Sequence, residues 1–287
     1  MTKETLSLKT IKQRDKIRVC AIQMDCVLGD KKANMAKVEE YLAEAASNRC
    51  DLIVFPELFL TGYSVEEHDL ALAEKLPGPT TRKLCALAQK SNMFIAGAII
   101  EASRIKGVIH DTAFLLGPED LVGIYRKVHL WDRENIRFAR GDQFPVFHTS
   151  IGCVGLQICY EIGFPKPARL LTFKGAEILL YPSAFGAPRR YAWDIATRSR
   201  ALENGVFVIA ANRSGQDKDT VFAGNTRIID PTGGIMGEAD RNNQLIIADL
   251  DTSLIVKQRQ AIPYLRDLYR PVVFRSLLSN SSERDGN

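Results

Sequence analysis

The sequence predicts an α/β protein, on three observations. Apolar strands and amphipathic helices alternate along the chain. No linker, composition shift or low-complexity segment interrupts them before the end, so they belong to one domain. Several strands, Leu52-Ile-Val-Phe55 among them, are apolar without alternation, as strands are when helices cover their sheet.

The elements follow in order. Ile17–Gln23 reads as a strand. Lys32–Ala46 places Met35, Val38, Tyr41, Leu42 and Ala45 on one helical face. Asp51–Pro56 is a short buried strand stopped by proline, and Thr80–Ser91 is a helix with Leu84, Leu87 and Ala88 inward. Met93–Ile100, Thr112–Leu116 and Leu121–Tyr125 are strands, the last two joined by a Gly-Pro turn. The second half alternates in the same way, with strand Ser150–Ile158, helix Pro167–Lys174, strand Glu177–Pro182, helix Arg190–Glu203 and strand Val206–Ala211. Thr226–Asp230 and Gln244–Leu250 are strands around a Pro-Thr-Gly-Gly turn. Two such halves fit two stacked sheets or one doubly wound sheet. Residues 1–16 read as an N-terminal extension, 17–278 as the domain, and the polar run Ser279–Asn287 as a disordered tail.

Bulk properties narrow the function. With 46% hydrophobic side chains in 287 residues, the chain can bury a large core. Net charge is +4 without a dense Lys/Arg block, so nucleic acid is not an expected partner. No apolar run approaches the ~20 residues of a membrane helix. Met1–Arg18 lacks the apolar core of a signal peptide, and a cytoplasmic setting without membrane contact is expected. The cysteines form no CxxC pair or Cys/His cluster, so no metal is expected and all are read as reduced.

Three strand ends carry ionisable groups, where function tends to collect. Glu57 follows the strand at 51–56; burial there would raise its pKa toward that of a general base, unless it is simply a helix-start glutamate. Lys127 ends the strand in Tyr125-Arg-Lys-Val-His-Leu130 and either meets a carboxylate or points to solvent from an edge. Cys159 ends the strand in Gly155-Leu-Gln-Ile-Cys-Tyr-Glu-Ile-Gly-Phe-Pro165. A strand-to-helix elbow there would expose the cysteine beside free backbone N–H groups, although a buried structural cysteine fits equally.

Together these segments resemble the carbon–nitrogen hydrolase (nitrilase) superfamily, whose Phe-Pro-Glu, Tyr-Arg-Lys and Cys-Tyr-Asp/Glu-x-x-Phe-Pro motifs recur here in the same order at Glu57, Lys127 and Cys159. The resemblance runs from about Ile17 to Phe274 and includes Arg200-Ala-Leu-Glu-Asn204, Ala211-Asn-Arg213, Asp230-Pro-Thr-Gly233 and Arg266-Asp-Leu-Tyr269. It implies a four-layer αββα sandwich of two stacked sheets. It implies a second glutamate at Glu134, with Asp132 as rival. It also implies a homodimer or larger homo-oligomer, with the apolar run Leu265–Leu278 docking on a neighbour. Tyr63, His129, Trp131, Tyr160 and Phe185 are the candidates for binding substrate; on a strand, His129 would face the same way as Lys127.

The implied chemistry is hydrolysis of a small amide or N-carbamoyl compound through a cysteine thioester. Lys127 would lower the thiol pKa and, with the Tyr160 N–H, hold the oxyanion; Glu57 would carry protons; no cofactor is required. The alternatives are a nitrilase and, less simply, a Cys–His hydrolase using His129, which leaves Glu57 and Lys127 without a role. Tyr160, where true nitrilases usually carry Trp, favours an amide. The arginine clamp of D-carbamoylases is missing after Cys159, while Arg189 and Arg190 could meet an acidic substrate. Two departures from the family pattern bear on preference: Lys166 replaces a glutamate and Asn225 a serine.

Overall fold

The computed structural model describes residues 15–240 and 242–268. Almost all of the expected extension at 1–16, most of the apolar run at 265–278 and the whole tail at 279–287 lie outside the described residues.

The first half supplies β1 (Lys16–Gln23), β2 (Leu52–Val54), β3 (Phe94–Ala102), β4 (Ile109–Leu116) and β5 (Leu121–Arg126). The second supplies β6 (Val146–Thr149), β7 (Gly152–Leu156), β8 (Ile178–Ser183) and β9 (Phe207–Asn212). A short ribbon, β10 (Gln216–Asp217) with β11 (Thr220–Val221), stands apart. Then come β12 (Arg227–Ile229), β13 (Ile235–Glu238) and β14 (Gln244–Asp251). Two six-stranded mixed sheets result, ordered β14-β1-β2-β3-β4-β5 and β13-β12-β9-β8-β7-β6. Each has three parallel strands at its centre, β1-β2-β3 and β7-β8-β9, flanked by antiparallel ones. The fold is therefore two sheets and not one doubly wound sheet.

The helices are α1 (Lys31–Ser47), α2 (Asp69–Leu72), α3 (Pro79–Ser91), α4 (Glu134–Arg137), α5 (Pro165–Phe173), α6 (Arg190–Asn204), α7 (Ser253–Ala261) and α8 (Tyr264–Asp267). None of the described helices is long and apolar enough to cross a membrane.

Alternation within β1 explains the layering. Cys20 and Ile22 pack with Val38 and Leu42 of α1 and Leu84 and Ala88 of α3. Val19 and Ala21 face the other way, into a core shared with Val154, Leu156 and Leu180 of the second sheet. Small side chains on the first sheet, Ala96, Ala98 and Ala113, belong to that shared core and let the sheets approach. Ala168 and Leu171 of α5, with Trp193 and Ala201 of α6, pack on the second sheet. Both faces of the central strands are thus apolar, which is why their sequences do not alternate.

Some elements depart from expectation. The strand expected at 150–158 is the second arm of the β6–β7 hairpin. Its turn is fixed by Thr149 Oγ1, which accepts the Ile151 N–H at 3.1 Å, and by Gly152 at φ +110. The helix expected from Pro167 begins at Pro165, whose fixed φ suits a first helical turn. β6, the β10–β11 ribbon, β13, α7 and the short helices α2, α4 and α8 have no counterpart among the expected elements.

Candidate active site

The loops after β2, β5, β7 and β8 converge, and each carries part of the site. After β2, Phe55 N–H still bonds to the Ala96 carbonyl at 2.8 Å, and the chain then turns through Leu58 at φ +49. Phe59 folds back over Gly97, where a Cβ would come within 2.8 Å of the ring, so only glycine permits this approach. Glu57 is thereby held inside, fully buried and not at a helix start.

After β5, the Lys127 N–H bonds to the Asp111 carbonyl at 2.9 Å, continuing the β4–β5 pairing by one residue. The side chain is fully buried rather than solvent-facing. Its Nζ lies 2.6 Å from Glu57 Oε1 and 2.9 and 2.8 Å from the two oxygens of Glu134. Glu134 opens α4 and also accepts the Tyr63 hydroxyl at 2.5 Å and the Trp131 N–H at 2.8 Å. Its rival Asp132 is exposed.

After β7, Cys159 begins a 3-10 turn, Cys159–Gly163, with φ +47. A left-handed conformation costs a residue with a Cβ about 1–2 kcal/mol, so neighbouring bonds must fix it. Glu161 Oε2 accepts the Ile158 N–H at 2.9 Å, and Arg200 Nε donates to the Ile162 carbonyl at 2.9 Å. Cys159 is 6% exposed, buried rather than open, yet it lines a cavity of about 330 Å³. After β8, the Ala184 N–H donates to Glu57 Oε2 at 2.8 Å, joining the loops of the two sheets.

The electrostatics correct two expectations. Burial pushes the Glu57 carboxyl up, but the Lys127 charge and hydrogen bonds from Asp111, Lys127 and Cys159 outweigh it, leaving Glu57 below its ordinary value. Burial, followed by the Glu57 charge, holds the Cys159 thiol well above its ordinary value, and the pull of Lys127 does not overcome them. Burial alone would depress Lys127, but the charges of Glu134 and then Glu57 hold it well above its ordinary value. The resting site is therefore a neutral thiol beside an ionised carboxylate and an ammonium.

Sequence reasoning missed Asp111. It is fully buried, with Oδ2 3.4 Å from Lys127 Nζ. Carboxyl oxygens of Glu57, Asp111 and Glu134 lie within 4.8 Å of one another, a spacing that could hold a metal ion; the cation among them is the Lys127 ammonium. The available signal was a charged residue inside the apolar run of β4.

Of the substrate-binding candidates, Tyr63, Trp131, Tyr160 and Phe185 line the Cys159 cavity. His129 does not. β5 ends at Arg126, so the strand-face argument fails, and the imidazole stacks on Phe164 at 4.2 Å in an adjoining apolar cavity. Lys166 is exposed on that adjoining cavity, away from Cys159. Arg189 lines the Cys159 cavity with its guanidinium 4.1 Å over the Trp131 ring, while Arg190 is exposed outside it. Asn225 donates to Glu238 at 2.6 Å, and its carbonyl accepts the Trp193 indole N–H at 2.8 Å.

A family model, carbon-nitrogen hydrolase, matches residues 18–260. A nitrilase of Pyrococcus abyssi is 33% identical over 259 residues, covering 88% of this chain and 96% of its own. Omega-amidase NIT2 of Homo sapiens is 30% identical over 268 residues, with the same coverage of 88% and 96%. The crystal structure of Saccharomyces cerevisiae Nit3, a member of branch 10 of the nitrilase superfamily, matches with a TM-score of 0.82 at 30% identity, over 88% of this chain and 96% of that one. With fold and family model agreeing over most of its length, the chain belongs to the carbon–nitrogen hydrolase family of the nitrilase superfamily, hydrolases of carbon–nitrogen bonds other than peptide bonds.

Proposed function

We propose that the protein hydrolyses a small amide or N-carbamoyl compound through a thioester on Cys159, with Glu57, Lys127 and Glu134 as its partners. The carrying observation is the Lys127 ammonium, 2.6 Å from Glu57 and 2.8 Å from Glu134, behind a cavity lined by Cys159. Glu57 takes the thiol proton as Sγ bonds to the substrate carbonyl carbon. The carbonyl oxygen becomes an oxyanion, met by the Lys127 ammonium and the Tyr160 N–H; one such donor is worth about 3 kcal/mol. Glu57 passes the proton to the nitrogen, the C–N bond breaks, and ammonia or an amine leaves a thioester. Water then gives a proton to Glu57 and adds to the same carbon. The C–S bond breaks, sulfur regains its proton and the acid departs. Glu134, held by Tyr63 and Trp131, positions Lys127 and the substrate nitrogen.

The cavity volume of about 330 Å³ suits a small molecule. Arg189 supports a substrate with a negatively charged far end, because its Nε is buried without a hydrogen-bond partner among the described residues. The reading extends to a cytoplasmic homodimer or larger homo-oligomer. A nitrilase is the second reading, favoured by the name of the Pyrococcus relative and disfavoured by Tyr160.

The test is ammonia release from a panel of simple amides, ω-amides, N-carbamoyl compounds and nitriles. Amides or N-carbamoyl compounds should react, and Cys159→Ala should release nothing while melting near the wild-type temperature. Ammonia from nitriles alone would overturn the subclass. Turnover by Cys159→Ala would sink the mechanism.

A further inference from the structure

Asp111 is a buried carboxyl at the site to which the mechanism assigns no step. Three carboxyls, Glu57, Asp111 and Glu134, surround one ammonium. All ionised, they would leave two uncompensated negative charges in a buried setting, so one of them must keep a proton.

Counting donors decides which. Glu57 accepts from Lys127 at 2.6 Å and from the Ala184 N–H at 2.8 Å. Glu134 accepts from Lys127, the Tyr63 hydroxyl and the Trp131 N–H. Neither Asp111 oxygen receives a hydrogen bond from any described donor, and Lys127 Nζ stays 3.4 Å away. Donors stabilise a carboxylate; a buried carboxyl without them holds its proton. A protonated acid is itself a donor, and an acceptor beside it is Glu57.

We propose that Asp111 works as a neutral acid, a positioning residue whose O–H donates to Glu57 and keeps that carboxylate ionised and aimed at Cys159. The inference rests on the reading of Glu57 as the base. The charged groups that face Asp111 are Glu57 from the loop after β2, Lys127 from the end of β5 and Glu134 from α4. Burial and then the Glu57 charge push Asp111 well above the carboxylate range, and the hydrogen bond between the two acts upward on Asp111 and downward on Glu57.

A neutral donor of the same shape should therefore substitute. Asp111→Asn and Asp111→Ala are compared with wild type in the full chain. The first readout needs no catalysis: the melting temperature of Asp111→Asn minus that of wild type, followed with pH. A group whose folded pKa is raised contributes stability that is fully present below its unfolded value, about 3.9, and is lost as pH rises. Asparagine loses nothing, so the difference should grow in favour of Asp111→Asn between about pH 4 and pH 7. A flat difference, or one that moves the other way, overturns the proposal.

The second readout is kcat/KM against pH with a simple aliphatic amide. Asp111→Asn should stay within about tenfold of wild type, whereas Asp111→Ala should fall about 100-fold, with its acid limb displaced upward because Glu57 has lost a donor. An Asp111→Asn variant as impaired as Asp111→Ala overturns the proposal. If wild type turns over no amide or N-carbamoyl compound, the proposed function fails, and the melting series still decides the state of Asp111.

Discussion

The Tyr125 hydroxyl donates to Glu161 Oε1 at 2.6 Å across the gap between the two sheets. The same oxygen accepts the Val128 and His129 N–H groups at 3.1 and 3.0 Å, and the other oxygen accepts the Ile158 N–H. One fully buried carboxylate therefore locks the segment that carries Lys127 to the turn that carries Cys159. Its position two residues after the cysteine suggests either a salt bridge or a place in the pocket; Oε1 also lies 3.2 Å from His129 Nδ1, and together with the backbone bonds this makes it a clamp between loops.

Glu161→Gln should be far worse than its size suggests. With the amide oxygen kept toward Tyr125, the NH2 takes the place of Oε2 and faces the Ile158 N–H, which leaves two buried donors opposed and unpaired. The expected cost is about 3 kcal/mol of stability, against about 1 kcal/mol for Tyr125→Phe, which removes a single donor. Denaturant unfolding of both variants measures this. Equal losses would mean that the clamp is not centred on Glu161.

Tyr63→Phe isolates the support of Glu134. The hydroxyl makes a 2.5 Å bond to Glu134 Oε1, while the ring keeps its edge contact with Phe222 at 6.1 Å. Stability should fall by about 1 kcal/mol and kcat by roughly tenfold, since Glu134 then holds Lys127 less firmly. An unchanged kcat would argue that Lys127 and Trp131 alone fix Glu134.

Glu57, Lys127 and Cys159 are legible in the sequence because each sits at the end of an apolar strand inside a short, distinctive string. Asp111 is not, because its significance lies in register: Thr112 pairs with Arg126, which sets Asp111 beside Lys127. Nothing local announces that pairing, and a strand begun at Thr112 leaves Asp111 outside it. His129 misleads for a related reason. Period-two facing holds only while a strand continues, and β5 stops at Arg126. Strand and helix order alone does not separate two stacked sheets from one, because each half repeats the same order, and only pairing of β14 with β1 closes the first sheet.

Cys159→Gly should be more stable than Cys159→Ala. At φ +47 alanine keeps the left-handed strain, worth about 1–2 kcal/mol, whereas glycine releases it and returns part of the gain as unfolded-state entropy. A net difference of about 0.5–1 kcal/mol in chemical denaturation is expected. If alanine is the more stable, the turn is not strained at this position.

Arg189→Gln should change substrate preference more than turnover. The guanidinium lies 4.1 Å over Trp131 at the wall of the cavity that holds Cys159. For an amide bearing a distal carboxylate, KM should rise about 10–100-fold relative to a neutral amide of equal length. A parallel rise for both would make the arginine a packing element alone.

The pH profile tests the charge pattern as a whole. Glu57 is held below the ordinary carboxylate value, because the Lys127 charge and neighbouring hydrogen bonds outweigh burial. Cys159 is held above the ordinary thiol value by burial and the Glu57 charge, and Lys127 above the ordinary amine value by its carboxylates despite burial. In the free enzyme the acid limb of kcat/KM should therefore fall below about pH 4.3 and the alkaline limb above about pH 8.5, with a plateau between. Stability follows the same signs. The depressed Glu57 contributes above its unfolded value and loses that contribution as pH falls through its folded one. The raised Lys127 contributes fully below about pH 10.4 and loses it above, and Cys159 does the same from about pH 8.5. None of these three groups titrates between about pH 5 and pH 8, so any slope in wild-type stability across that window that Asp111→Asn removes belongs to Asp111. A kinetic limb centred near neutrality would mean that Glu57 or Cys159 is not in the state that its neighbours impose.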